Sequence, residues 1–290
     1  MAIDLHMHTN FSDGTLSPEE LVDYAQRYGV HTMAVTDHDE IGAVQRAIEY
    51  GKSKKRRVIA GVELSIDYPL KGRSHLHILG LFIDYTNGAL NEALQYLKVE
   101  RQVRIHKILE LLRGLNIPLD INNLNNVIGQ GSAGRPHIAN LLIEKNYVRT
   151  TKQAFDRFLS KGRPAYVSKV KLKLKEAIDV IHAANGLAIL AHPISLGFNQ
   201  YEDLGRKILK LKESGIDGIE AYYPSQDFNL TNWLLNFAEG NKLSVAGGSD
   251  FHGQAKPEIK PGIGKGQLNI PENVFHKLQQ DHRQKYGGTS

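Results

Sequence analysis

The sequence contains no cysteine in its 290 residues, which excludes disulfides, thiol nucleophiles and thiolate metal sites. Any metal must then be held by imidazole and carboxylate. No apolar run approaches the eighteen residues that span a membrane. The N-terminus enters strand-like sequence directly, without the basic and apolar regions of a secretion signal. The expected compartment is the cytoplasm, with no membrane partner. Neither sign of charge dominates, and a formal net charge of +5 draws anionic partners only weakly. The hydrophobic fraction of 41% and charged fraction of 23% are ordinary for a globular protein. The length suits one large α/β domain or a medium one with an insertion. What stands out is thirteen histidines, several at the ends of strand-like segments.

The chain opens on Ile3-Asp4-Leu5-His6-Met7-His8-Thr9-Asn10-Phe11-Ser12-Asp13-Gly14. Positions i and i+2 of a strand share a face, so His6 and His8 can converge on one point. Asp13, in a Ser-Asp-Gly turn, can reach the same strand end. Two imidazoles and a carboxylate suit a borderline divalent cation. The alternative is two incidental histidines on a solvent-facing strand, and further segments of the same kind decide between them.

Ser17-Pro18-Glu19-Glu20 predicts a helix start, with Ser17 as N-cap, Pro18 first in the helix and Glu20 completing a capping box. Leu21, Val22, Tyr24, Ala25 and Tyr28 give that helix an apolar stripe, and Gly29 ends it. Strands are expected over 32–36, stopping at Asp37-His38-Asp39, over 58–62, stopping at Glu63, and over 74–83, where His75 and His77 repeat the His-x-His spacing. A helix over 41–52 lies between the first two. The strands are apolar throughout, as parallel strands covered by helices are. A long helix over 90–115 and a stretch over 119–163 with no convincing strand break the alternation, as an inserted cap does. The alternation resumes with helices over 174–184, 201–214 and 229–239 and strands over 187–191, 217–221 and 243–247. The first of these strands leads to His192-Pro193 and the last to Gly248-Ser249-Asp250-Phe251-His252. The polar tail from Asp281 is expected to fray.

About seven strands, nearly all parallel, carry ligand-type residues at most of their C-terminal ends. A closed barrel places its site at that face, whereas an open doubly wound sheet gathers ligands only at a switch point, so a barrel is the better expectation. His6, His8, Asp13, His38, Glu63, His77, His192, Asp250 and His252 exceed the needs of one cation and suit two or three. Glu63, a carboxylate among histidines, is a candidate bridge. Asp37 and Asp39 are expected to orient His38. His31, His106, His182 and His276 fall on or beside helical patterns and read as ordinary surface or partly buried histidines.

These motifs (His6-x-His8 with Ser12-Asp13-Gly14, Thr36-Asp37-His38-Asp39, Gly61-Val62-Glu63, His77-Ile78-Leu79-Gly80, Ala191-His192-Pro193 and Gly248-Ser249-Asp250-Phe251-His252) run in order along the whole chain. With them the sequence resembles the PHP family of metal-dependent phosphoesterases. The resemblance implies an α/β fold, a distorted seven-stranded (β/α) barrel with a small helical insertion, divided as 1–88 and 164–290 for the barrel and 89–163 for the cap. It implies a trinuclear site and favours His77 over His75 as the ligand, because His77 directly precedes the Ile-Leu-Gly run. His6, His8, Asp13, His38, Glu63, His192, Asp250 and His252 would act through the bound metals and the hydroxide generated on them. Mixed imidazole and carboxylate ligands fit Mn, Zn or Fe.

In the insertion, Arg101 and Arg104 are three apart and share a helix face. Gly134-Arg135-Pro136-His137 opens a helix, and helix starts attract anions while arginine grips phosphate through paired bonds. A solvated basic face and an ordinary helix start are the alternative. In nucleotide-processing members of the family the insertion covers the metal site, and by that resemblance Arg101, Arg104, Gly134, Arg135 and His137 are candidates to hold a second phosphate. The segment 129–134 spells G-x-G-x-x-G without a preceding strand and is expected to be a loop. The alternating Lys169-Val170-Lys171-Leu172-Lys173-Leu174-Lys175 is expected to be an amphipathic edge or linker, lacking the aromatics of a single-strand nucleic-acid site.

The resemblance therefore implies hydrolysis of a phosphomonoester on a small phosphorylated substrate, either a nucleoside 3′,5′-bisphosphate or the 5′ end of a short RNA, with no obligate protein partner. Histidinol-phosphate phosphatase is the runner-up, its cationic substrate suiting a basic cap less well. A non-catalytic PHP accessory domain and an amidohydrolase are readings of other classes. The filled ligand positions argue against the first, and phosphate rather than ammonia release separates the second.

Overall fold

A computed structural model describes residues 2–72, 74–120, 122, 124 and 134–287. Its eight strands are β1 (Ala2–Asp4), β2 (Val30–Val35), β3 (Arg57–Asp67), β4 (Leu76–Leu81), β5 (Leu172–Lys173), β6 (Leu187–Leu190), β7 (Gly218–Tyr222) and β8 (Ser244–Gly247). They form one sheet in the order β1-β2-β3-β4-β6-β7-β8, and β5 pairs with β3 off that path. The helices that bear on the argument are α1 (Pro18–Arg27), α2 (Val44–Ser53), α3 (Gly88–Gly114), α4 (Arg135–Glu144), α5 (Thr151–Ala154), α6 (Leu174–Ala183), α7 (Tyr201–Glu213), α8 (Phe228–Gly240) and α9 (Glu272–Tyr286). α1 begins as the sequence predicts: Ser17 Oγ accepts the Glu20 N–H at 3.2 Å, and the Glu20 carboxylate accepts the Ser17 N–H at 2.8 Å.

The sheet is mixed rather than nearly all parallel, because β4 runs antiparallel to both β3 and β6. Residues 68–75 alone connect β3 to β4, and a parallel crossover takes a dozen residues or more. The reversal keeps the site intact. His77 sits near the start of β4, opposite Ser65 near the end of β3, so the reversed strand still delivers its histidine to the common rim. The expected barrel closure by a ladder is not seen between β8 and β1. That seam consists of a parallel bridge between Met7 and Phe251 and three backbone bonds. Leu5 donates to the Gly247 carbonyl (3.0 Å), Asp250 to that of His6 (2.8 Å) and His8 to that of Phe251 (2.9 Å).

Ile3, Leu5, Ala34, Ile59, Leu79 and Ile189 meet in one interior cluster, joined from below by Val274, Phe275 and Leu278 of α9. The C-terminal tail therefore does not fray at Asp281. Helix α9 continues to Tyr286, whose hydroxyl donates to the Gly186 carbonyl at 2.9 Å, and the His282 ring reaches the Asn185 carbonyl at 2.7 Å. Apolar packing on one helix face outweighs the polar composition of the other. Leu90, Leu94 and Leu97 of α3, which packs against α6, belong to the large apolar cluster shared with the sheet, whereas Ile105, Ile108 and Leu112 of the same helix join Ile138, Leu142 and Leu159 in a separate cluster. Between residues 119 and 163 the described residues contain no strand. Of the G-x-G-x-x-G segment only Gly134 lies among them. No helix among the described residues is long and apolar enough to cross a membrane.

Candidate metal centre and its anionic-ligand cavity

The strand ends are pinned before they carry any chemistry. Asp4, fully buried, accepts backbone N–H groups from Ser249 (2.8 Å), Gly262 (2.7 Å) and His6 (3.3 Å), tying the first strand to the loop after the last. Burial pushes its carboxyl up to about 6, against the pull of these bonds. Gly248 permits this approach, since a Cβ there would overlap His6. Asp39, His192 and Asp250 all have positive φ, at 52°, 30° and 55°. Such backbone is uncommon for residues other than glycine and is retained where function needs it.

Glu63 is the hub. One oxygen lies 2.7 Å from His77 Nδ1 and 3.0 Å from His192 Nε2, and the other lies 2.9 Å from His38 Nδ1 and 3.3 Å from both His6 Nε2 and His8 Nε2. Asp250 Oδ1 approaches His8 Nε2 (3.2 Å), His252 Nδ1 (3.4 Å) and His6 Nε2 (3.6 Å). Asp13 Oδ1 lies 3.2 Å from His252 Nε2, and its Oδ2 is 3.9 Å from His38 Nε2. All nine side chains singled out in the sequence are thus brought together, in overlapping groups whose ligand atoms lie within 4.8 Å of one another. His75 is exposed, yet its ligand atom groups with those of His77 and His192.

The donor chemistry fits divalent cations. His6 Nε2, His8 Nε2, His38 Nδ1, Glu63 Oε2 and Asp13 Oδ1 are buried without a hydrogen bond, and buried polar atoms are rarely left so without a ligand in prospect. Burial opposes ionisation of Glu63, Asp13 and Asp250, but the surrounding imidazoles hold all three well below the usual carboxylate range. Burial, with His38 and His192 beside it, pushes His77 down to about 3, which keeps its ring neutral. For these four groups that is the protonation state metals require of their ligands. Against the pull of burial, Glu220 and Glu63 hold His6 well above the usual imidazole range and Asp250 and Glu63 lift His8 to about 9, so a cation binding there displaces their protons.

The sequence reading overlooked the groups behind the histidines. Glu220, in the middle of β7, is fully buried, lies 3.0 Å from His6 Nδ1 and accepts the His192 N–H at 2.7 Å. Its signal was a lone glutamate inside the apolar run Gly218-Ile219-Glu220-Ala221. Ser195 Oγ is 2.9 Å from His192 Nδ1 and donates to the His75 carbonyl. Tyr223 and Lys256 both donate to Asp250 Oδ2, at 2.9 and 2.7 Å. Asp37 and Asp39 differ from expectation, for they bind other partners than the His38 ring. Asp37 binds Thr9 and Ser12 in the loop after the first strand. Asp39 takes Arg101 (2.9 Å) and Lys169 (2.5 Å), and Arg101 also donates to the His38 carbonyl.

Beside the cluster lies a cavity of about 700 Å³, reached by Asp13, His38, His75 and His77 on one side and by Arg101, Arg104, Gly134 and Arg135 on another. Arg104 is buried and donates through Nε to the Val167 carbonyl at 2.9 Å. Burial and the adjacent Arg135 push it down to about 10. Arg135 donates to the Leu159 carbonyl (3.0 Å) and lies over the rings of Phe155 and Tyr166, 5.5 and 5.7 Å from their centroids. His137 Nδ1 accepts the Gly134 N–H at 3.0 Å, bracing the start of α4. The other helical histidines stand apart from the cluster, His182 against Asp217 and His106 against the Gln102 carbonyl.

A mixed α/β sheet whose rim gathers histidines around buried carboxylates is the arrangement of a PHP domain, and a PHP domain is matched over residues 4–96. A 5′-3′ exoribonuclease from Haemophilus influenzae is 35% identical over 253 residues, covering 86% of this chain and 89% of its own. A 3′,5′-nucleoside bisphosphate phosphatase from Chromobacterium violaceum is 30% identical over 256 residues, covering 86% and 87%. A solved structure described as an amidohydrolase from Chromobacterium violaceum, with bound sulfate and no metal, superposes with a TM-score of 0.79 at 27% identity over 97% of both chains. The chain belongs to the PHP family of phosphoesterases.

Proposed function

We propose that this chain hydrolyses a phosphoester on a nucleotide that carries a second phosphate, either a phosphomonoester of a nucleoside 3′,5′-bisphosphate, releasing phosphate, or the first phosphodiester at the 5′ end of a short RNA, releasing a nucleotide. The observation that carries the reading is the ring of five histidines around Glu63, opening on a cavity lined by Arg101, Arg104 and Arg135. The relatives named as a 5′-3′ exoribonuclease and a bisphosphate phosphatase support it, since both substrates place one phosphate a sugar away from another.

In this reading His6, His8, Asp13, His38, Glu63, His77, His192, Asp250 and His252 would hold two or three divalent cations (Mn, Zn or Fe), with Glu63 the central carboxylate among them. Bound there, the cations supply positive charge opposite the phosphoryl oxygens and make water acidic enough to attack at neutral pH. The chain's own groups set the geometry. Glu220 fixes the His6 ring, and Tyr223 and Lys256 hold Asp250 by one oxygen while the other faces His6 and His8. Arg135, clamped by two rings and a carbonyl, meets a second phosphate with little ordering left to do. Arg101, Arg104 and Gly134 line the same cavity, and His137 serves it by holding Gly134. Residues 89–163 act as a cap over a barrel of 1–88 and 164–290, supported by the separate apolar cluster on the far half of α3.

Phosphate release with added Mn²⁺, compared for adenosine 3′,5′-bisphosphate, AMP and histidinol phosphate, tests the reading. A strong preference for the bisphosphate is expected. Turnover of histidinol phosphate alone overturns the substrate assignment, because a cavity rich in cations disfavours a cationic substrate.

A further inference from the structure

The Lys-x-Lys alternation has a place in the fold that its sequence alone did not reveal. β5 pairs with the end of β3 through Ile66↔Leu172 and Asp67↔Lys173, so the residues just before β5 run along Ser65 and Ile66. Lys169 Nζ donates to Ser65 Oγ at 2.7 Å, and Lys171 Nζ donates to the Ile66 carbonyl at 3.4 Å. Residues two apart share one side of an extended segment, and both lysines line the cavity that holds Asp13, His38 and Arg135. Leu172 is buried in the core beneath them.

The cavity is therefore more cationic than two phosphates require. Among the described residues, Arg101, Arg104, Arg135, Lys161, Lys169 and Lys171 line it against Asp13 and Asp67. Lys169 is committed to Asp39, and Arg101, which shares Asp39, serves the second phosphate with Arg104 and Arg135 in the reading above. Lys171 has a long carbonyl contact and is half-buried, sharing the cavity with the like-charged Arg135 and Arg104, and Asp67 and Asp39 act on it as counter-charges. Like charges gathered in a partly dry cavity raise each other's free energy until an anion sits among them.

We propose that Lys171 is a subsite for the next phosphate of a nucleic-acid strand, so that a chain of three phosphates is a better substrate than an isolated bisphosphate. The proposal rests on the phosphoesterase reading and names the substrate class which that site prefers. A lysine offers a compact charge without base readout, so the preference is for chain length rather than sequence.

The test compares kcat/KM for the 5′-phosphorylated trinucleotide pUpUpU and for adenosine 3′,5′-bisphosphate in wild type, Lys171→Ala, Lys171→Arg and Lys175→Ala. Lys175 is an exposed control paired with Asp179 on α6. Lys171→Ala should lower the trinucleotide-to-bisphosphate ratio about tenfold, as loss of a charged hydrogen bond does. It should also reduce the salt slope of log(kcat/KM) for the trinucleotide by about 0.7, the value for one lost contact to single-stranded phosphate. Lys171→Arg should keep the ratio, and Lys175→Ala should not move it. Bisphosphate turnover reports that each variant is folded. A ratio and slope unchanged in an active Lys171→Ala protein overturn the proposal. Wild-type protein that hydrolyses neither substrate overturns the phosphoesterase reading beneath it.

Discussion

Glu220 offers a test of how the histidines are held. Its carboxylate is fully buried between His6 Nδ1 (3.0 Å) and the His192 N–H (2.7 Å). A carboxylate can only accept, so His6 donates from Nδ1, which leaves Nε2, beside Glu63 and Asp250, as the atom that would take a cation in place of its proton. In Glu220→Gln one end of the side chain becomes a donor. With the amide nitrogen toward His6, the ring proton moves to Nε2 and that atom can no longer bind a cation. With the nitrogen toward His192, two N–H groups confront each other in a buried site. In the second orientation a buried group loses its partner, at a cost of about 1–3 kcal/mol in stability. Loss of a carboxylate behind a ligating histidine typically costs about 10–100-fold in metal affinity. The assay is competition for Mn²⁺ between metal-free protein and a chelating dye, with thermal unfolding recorded in parallel. A folded Gln variant with metal affinity within about twofold of wild type would refute the argument.

Three further substitutions probe other parts of the account. Arg135→Ala should lower kcat/KM for a 3′,5′-bisphosphate by about 10–100-fold and for a simple aryl phosphate far less, and equal losses on both would remove Arg135 from the second-phosphate site. Asp217 accepts the Ala188 N–H (2.8 Å), meets the His182 ring and pairs with Lys285 of α9. Burial opposes its ionisation, but those contacts hold its carboxyl below the ordinary value. Its contribution to stability is therefore complete above the unfolded-chain value of about 4 and fades as pH falls through the lower folded one. Wild type should out-melt Asp217→Asn at pH 7 by a margin that shrinks in acid, and a margin independent of pH would contradict this. Ile108→Ala, in the cluster on the far half of α3, should cost about 2–5 kcal/mol in urea unfolding, and a loss below about 1 kcal/mol would mean that this cluster is not close-packed.

The parts of the site that were legible are those with local signals. His6-x-His8, the Ser12-Asp13-Gly14 turn and the Asp250-Phe251-His252 stretch each place ligand atoms within a few residues of a strand end, and short apolar runs announce the strands. Strand direction is a matter of connection length, which is why β4 was misread although residues 68–75 leave no room for a crossover. α9 was hidden by its polar face, while its packed positions Val274, Phe275 and Leu278 were there to be counted. Glu220 and the Asp39 pairings depend on contacts between residues far apart in the chain, His6 to Glu220 and Asp39 to Lys169. No local pattern marks such pairs. The seam between the first and last strands is likewise made by irregular backbone after Asp4 and Gly247, where periodicity gives no register.

The central claim, that the cluster around Glu63 binds divalent cations and that hydrolysis depends on them, is tested most directly on one preparation. Protein stripped by chelation is titrated with Mn²⁺ while bound metal and phosphate release from adenosine 3′,5′-bisphosphate are followed together, for wild type and for His192→Ala. The account predicts no release from the stripped protein, release that rises with bound metal in wild type, and neither tight binding nor release in the variant. Phosphate release that survives stripping, or that proceeds equally in His192→Ala, would contradict it.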